Sequence, residues 1–90
     1  MKRARIVVSG LVHGVGYRSY VRNYAKEIGL KGFVKNLSTD RVEIVAEGYG
    51  NQFDTFLQML RKGPLGSKVK DIRVDWEDPV GEFKDFAVQN

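Results

Sequence analysis

The chain has 90 residues, 42% apolar and 29% charged, which fits one compact domain over residues 1–90 with helices layered on a sheet and excludes a second domain. It has no cysteine, which excludes a disulfide framework and any thiolate metal site, and its single histidine, His13, cannot build an ordinary zinc site alone. The formal charge of +4 is uneven: residues 1–36 hold eight Lys/Arg against the one acid Glu27, whereas residues 37–90 hold seven against ten acids. The first third therefore calls for an anion, whether phosphate, nucleic acid or an acidic membrane surface, although part of any such excess is ordinary solvated face.

Apolar runs such as Ile6-Val7-Val8 fall far short of the roughly 20 residues of a membrane span. The Met1-Lys2-Arg3 start precedes no hydrophobic segment of signal-peptide length. A soluble, cytoplasmic protein with no membrane partner is expected.

From the N-terminus, Arg5 to Val12 alternates and is β-branched, which suits a strand with Ile6 and Val8 facing a core. His13-Gly14-Val15-Gly16 breaks it. From Tyr17 the apolar residues Tyr17, Tyr20, Val21, Tyr24, Ala25 and Ile28 follow helical spacing, and Gly29 sits where a helix ends. Lys31 to Asn36 and Arg41 to Gly48 read as a hairpin joined by Leu37-Ser38-Thr39-Asp40. Val42, Ile44 and Ala46 share its inner face, and Glu43 and Glu47 read as its solvent face. A second helix is capped by Asn51, has Asp54 in its first turn, buries Phe53, Phe56, Leu57 and Leu60, and stops at Gly63-Pro64. Val69 to Trp76 forms a fourth strand with Ile72, Val74 and Trp76 on one side, and Phe83 to Val88 a final edge segment.

The order strand, helix, strand, strand, helix, strand is the split βαβ pattern of an α+β, ferredoxin-like fold. Two helices cover one face of an antiparallel sheet in this two-layer α/β sandwich. Such a fold carries many functions and chooses none.

The two helices begin differently. The second has a cap and an acid near its start, as the helix dipole and the unpaired N–H groups favour. The first follows Gly14-Val15-Gly16 with no Ser, Thr, Asp or Asn cap and puts Arg18, then Arg22, in its opening turns, where positive charge is unfavourable. A phosphate would complete it: glycines let successive N–H groups turn inward, the helix start adds donors, and an Arg closes the cradle. No Gly-Lys-Ser/Thr follows, so this is not a nucleotide P-loop. On the pattern alone, an anion cradle and a plain glycine turn beside a solvated Arg stay equally open.

The run Val8-Ser9-Gly10-Leu11-Val12-His13-Gly14-Val15-Gly16-Tyr17-Arg18, followed by Ala25 to Asn36 with its Gly32-Phe33-Val34-Lys35-Asn36, closely resembles the acylphosphatase family. The resemblance implies a small, metal-independent, ferredoxin-like hydrolase, without a cofactor and monomeric, that converts an acyl phosphate to a carboxylate and inorganic phosphate. It implies Arg18 and Asn36 as the catalytic pair, with Arg18 binding phosphate and Asn36 positioning water. The phosphate cradle it implies is His13, Gly14, Val15, Gly16, Tyr17 and Arg18. Three departures stand out: His13 where Gln is more usual, Asp40-Arg41 where the hairpin commonly has Asp-Gly, and a C-terminus Phe86-Ala87-Val88-Gln89-Asn90 without the usual closing Arg-Tyr. The last bears on how the final strand packs.

Plainer roles suit several of these residues. Asn36 at a strand end would ordinarily serve a turn. His13 has no carboxylate nearby in sequence to orient it as a base and reads as a loop side chain. Tyr17, Tyr20 and Tyr24 read as core with hydroxyls at the rim, and Met59 as core. A rival reading is a nucleic-acid module, since basic ferredoxin-like sheets bind RNA and Lys31-Gly32-Phe33-Val34 matches part of an RRM motif. The aromatics here fall mostly on helix stripes rather than on a sheet platform, so no nucleic-acid partner is expected. A domain of a larger hydrogenase-maturation protein acting on carbamoyl phosphate is the alternative within the resemblance, and 90 residues with no appended domain weigh against it.

Overall fold

A computed structural model describes residues 1–89. Its elements in chain order are β1 (Lys2–Leu11), α1 (Tyr17–Ile28), β2 (Lys31–Ser38), β3 (Arg41–Gly48), α2 (Gly50–Lys62), β4 (Lys68–Glu77) and β5 (Phe86–Gln89). The five strands form one sheet in the order β4-β1-β3-β2-β5. Every neighbouring pair is antiparallel except β2 and β5, where Gly32 lies opposite Phe86 and Val34 opposite Val88 in parallel register. The four strands of the βαββαβ pattern are antiparallel as expected, and the short edge strand β5 joins them in parallel. The connection from β4 must cross the sheet from one edge to the other, and it delivers the last strand alongside β2.

Alternation puts Ala4, Ile6 and Val8 of β1, Val34 of β2 and Val42, Ile44 and Ala46 of β3 on one face, all fully buried. Both helices cover that face. Tyr17, Val21 and Ala25 are the buried stripe of α1, and Phe53, Phe56 and Leu60 that of α2. Phe56 meets Phe86 of β5 edge-on at 6.3 Å between ring centroids, so the last strand is tied into the core without a closing Arg-Tyr. Trp76 lies edge-on to Phe53 at 5.1 Å but stays half exposed on the outer strand β4.

Two glycines of the Gly-rich segments are fixed by close approach. At Gly10, where the β1–β4 register shifts, a Cβ would fall 2.1 Å from the Lys68 carbonyl oxygen; at Gly32 it would fall 1.8 Å from that of Val45.

Several local expectations are corrected. Asn51 does not cap α2. The helix starts two residues earlier, at Gly50 after Tyr49, Gln52 Oε1 accepts the Tyr49 N–H at 2.7 Å, and Asp54 lies beyond the first turn. Gln52 Nε2 also donates to the Ile28 carbonyl at 3.1 Å, so one side chain joins the end of α1 to the start of α2. The Tyr17 hydroxyl is not at the rim. It donates to the Leu60 carbonyl at 2.8 Å inside the core, while Tyr20 donates to Met59 at 2.7 Å, and both satisfy carbonyls in the last turn of α2. Met59 itself is half-buried. Thr39 and Asp40 keep negative φ, so the hairpin does not use the primed turn that Asp-Gly would favour, and the register shifts between Asn36 and Ser38.

The helix-free face differs most from expectation. Glu47 is 4% exposed and Glu43 is largely covered, so these are not solvent-facing acids. Residues 78–85 cross this face, where Val45 is fully buried, with Val80 and Gly81 bonded to Glu47 and Phe83 edge-on to Phe33 at 5.9 Å. Glu43 pairs with Arg5 at 2.7 Å and with Lys35 at 3.5 Å. Phe33 is thereby engaged by Phe83 and Lys35, and no open aromatic platform is formed among the described residues.

Candidate active site

β1 ends at Leu11, and Val12, 1% exposed, pins the chain before it turns. Gly14 and Gly16 both have φ +75°, whereas no non-glycine residue among those described has positive φ, so φ alternates in sign from Gly14 to Tyr17. That alternation turns successive N–H groups toward one concave side. A Cβ at either glycine would meet nothing within 4 Å, so conformation rather than space demands glycine here.

α1 then begins at Tyr17 with left-handed Gly16 as its cap residue, no side-chain cap and no acid in its first turn. The Tyr20 N–H bonds the Gly16 carbonyl at 3.0 Å, which leaves the N–H groups of Tyr17, Arg18 and Ser19 ahead of the helical ladder. The start of this helix is an electropositive end lined with donors.

Arg18 is half-buried in that first turn, and its Nη1 donates to the Gln89 carbonyl of β5 at 3.4 Å. Asn36 lies on the same face of β2 as Val34, two residues nearer the strand's end. Its Oδ1 is buried and has no hydrogen-bond partner among the described residues. Buried side-chain acceptors are nearly always satisfied, so this oxygen is set up to accept from a molecule entering the cleft. Burial pushes the Tyr17 phenol well above its usual range, with neighbouring Tyr20 adding to it, so Tyr17 stays protonated and serves structure.

These residues share a cleft of about 140 Å³ lined by Val12, Gly14, Gly16, Tyr17, Arg18, Ser19, Asn36 and Val88. It is below the roughly 300–1,000 Å³ of sites for drug-sized ligands and suits a compact anion. Of the residues expected from sequence, Gly14, Gly16, Tyr17, Arg18 and Asn36 converge there. His13 and Val15 do not line it: His13 is exposed, and Val15 packs against the core. Sequence reasoning missed three lining residues. Ser19 could have been found as the third residue of an uncapped helix, and Val12 as the anchor before the turn. Val88 had no local signal, because only the parallel docking of β5 brings it there.

Among the described residues, no three His, Asp or Glu side chains gather to hold a metal ion, and no helix is long and apolar enough to cross a membrane.

Comparison with known proteins bears on this geometry. The acylphosphatase family model matches residues 4–88. An acylphosphatase of Roseiflexus sp. (strain RS-1) is 40% identical over 88 residues, covering 98% of this chain and 95% of that protein. The crystal structure of acylphosphatase from Bacillus subtilis superposes with a TM-score of 0.95 at 38% identity, covering all of both chains. That of T. kodakarensis HypF superposes with a TM-score of 0.87 at 34% identity, covering all of this chain but 12% of that one. The chain belongs to the acylphosphatase family, and the expected hydrolase class and ferredoxin-like fold stand with it.

Proposed function

We propose that the chain hydrolyses acyl phosphates to a carboxylate and inorganic phosphate, with the cleft at the start of α1 holding the phosphoryl group. Supporting this most directly is a guanidinium at an uncapped helix start that shares one small cleft with a buried Asn36 oxygen that has no partner among the described residues. Arg18 supplies the counter-charge and a two-pronged contact to phosphoryl oxygens, and the loop and first-turn N–H groups supply further donors. Asn36 Oδ1 accepts a hydrogen bond from the attacking water and holds its lone pair toward phosphorus; a neutral amide can orient water without acting as a strong base.

So small a site is enough because of the leaving group. A carboxylate departs with a conjugate-acid pKa near 4, so no general acid is needed to protonate it. What remains is charge neutralisation and in-line alignment, the main tasks in phosphoryl transfer. The catalytic pair Arg18 and Asn36 and the cradle of residues 13–18 are part of this proposal, with His13 and Val15 acting only through backbone N–H groups. So is action as a monomer in the cytoplasm on a small-molecule substrate.

Benzoyl phosphate hydrolysis, followed with EDTA present, tests the reading. Arg18→Ala, checked as folded by circular dichroism, is expected to lose about 10³-fold or more in turnover, as when a transition-state arginine is removed from a phosphoryl-transfer site. Near-normal hydrolysis by that variant would overturn the assignment.

A further inference from the structure

We propose that Glu47, at the end of the sheet away from the cleft, is a positioning residue for it. Its carboxylate latches the 78–85 connection across the helix-free face, and the latched connection sets the strand that walls the cleft beside Arg18. The proposal rests on reading that cleft as a phosphoryl site.

Glu47 is 4% exposed, on a sheet face that no helix covers. Its Oε2 accepts from the Val80 N–H at 2.8 Å and from Arg3 Nη1 at 3.0 Å, and its Oε1 accepts from the Gly81 N–H at 3.0 Å. Two consecutive backbone donors and a guanidinium thus converge on one side chain, an arrangement that needs both oxygens and the charge of a carboxylate. Arg3 extends the latch by holding Glu82 at 2.9 Å and lying over the Phe83 ring. At its last residue the connection is also held by the Gly32 N–H, which donates to the Asp85 carbonyl at 3.0 Å, and by Lys26, 3.4 Å from Asp85; before Asp85, apart from the Phe83 contact with Phe33, these ties pass through Glu47 or its partner Arg3.

The connection has no regular structure of its own and runs directly into β5. β5 is four residues long, so a displaced start carries to its end. That end is functional: Val88 lines the cleft, and the Gln89 carbonyl accepts from Arg18. A loosened connection therefore shifts the wall and one restraint on the phosphate-binding guanidinium while leaving the N–H cradle intact.

Two variants separate this from a merely structural role. Glu47→Gln keeps the volume but replaces one acceptor with a donor that faces other donors. Val80→Pro deletes one donor of the connection at a residue whose side chain is 68% exposed, leaving Glu47 and the core untouched. In both, amide hydrogen exchange at Gly81 and in β5 should accelerate by roughly tenfold or more while β1 and β3 stay protected. The Kd for inorganic phosphate, titrated by NMR, and KM for benzoyl phosphate should rise together, with kcat changing least. A loosened connection with unchanged phosphate Kd, or exchange unchanged in both variants, overturns the proposal. Should Glu47→Gln fail to fold, Val80→Pro decides alone. Failure of the wild type to turn over benzoyl phosphate would refute the acyl phosphate reading, and the exchange and phosphate titrations would still judge the latch.

Discussion

Removing the Asn36 amide separates function from stability in a way a structural asparagine would not. Asn36 Oδ1 has no protein partner among the described residues and Asn36 lines the cleft, where water can satisfy it. Asn36→Ala deletes a cleft-facing amide and a few packing contacts at a half-buried strand end, so stability is expected to change by less than about 1 kcal/mol. In a domain of this size, about 1 kcal/mol corresponds to a shift of about 4–8 °C in Tm. Turnover should nonetheless fall by about 10²-fold or more, because the attacking water loses the group that aligns it. Thermal unfolding by circular dichroism and benzoyl phosphate hydrolysis on one preparation check both halves, and phosphate affinity should be nearly kept. A variant destabilised by more than about 1 kcal/mol, with activity falling only as the folded fraction falls, would refute the reasoning and make Asn36 a support for the hairpin.

Other outcomes follow from the same geometry. Gly16→Ala must hold an L-residue at φ +75° in open space, so it should lose about 1 kcal/mol by strain without a clash and weaken phosphate binding, measurable by denaturant unfolding and phosphate titration. Tyr17→Phe strips the buried donor from the Leu60 carbonyl and should cost roughly 1–3 kcal/mol in the same unfolding assay, with little change in KM. Burial alone would raise the Glu47 carboxyl, but the Val80 N–H, Arg3 and the Gly81 N–H outweigh it and hold the group below the usual carboxylate range. A depressed folded-state pKa contributes stability that is fully present above the unfolded value, near 4.5, and is lost as pH falls through the folded one. Stability should therefore decline on acidification below that range, and Glu47→Gln should flatten the decline in denaturant titrations run across pH.

The legible parts of this protein were those that depend on near neighbours. The period of Tyr17, Val21 and Ala25 and the glycine after Ile28 define α1 before any tertiary contact is known, because helical periodicity and a left-handed end are local properties. The demand for an anion was equally local. Gly14 and Gly16 had to supply positive φ, and a helix that opens on Arg18 without a cap leaves donors unmet within a few residues. With the resemblance carried by the same run, this is enough to single out Arg18 and Asn36 as the candidate pair.

Tertiary structure decided what depends on residues far apart in the chain. Alternation made Glu43 and Glu47 look like a solvent face, and it reported their side of the strand correctly. Only the return of residues 78–85 over that side buried Glu47, through bonds from Arg3, Val80 and Gly81 that no spacing within β3 could reveal, while Arg5 and Lys35 from the neighbouring strands pair with Glu43. In the same way, Asn51 has the chemistry of a cap, but Gln52 won the role because it also reaches the Ile28 carbonyl at the end of α1. Val88 joined the cleft because the connection crosses the sheet and docks β5 parallel to β2. Residue chemistry set which groups could bind and orient a phosphoryl group; the path of the chain between distant strands set which of them meet, since a contact forms only where chain connectivity and core packing are satisfied together.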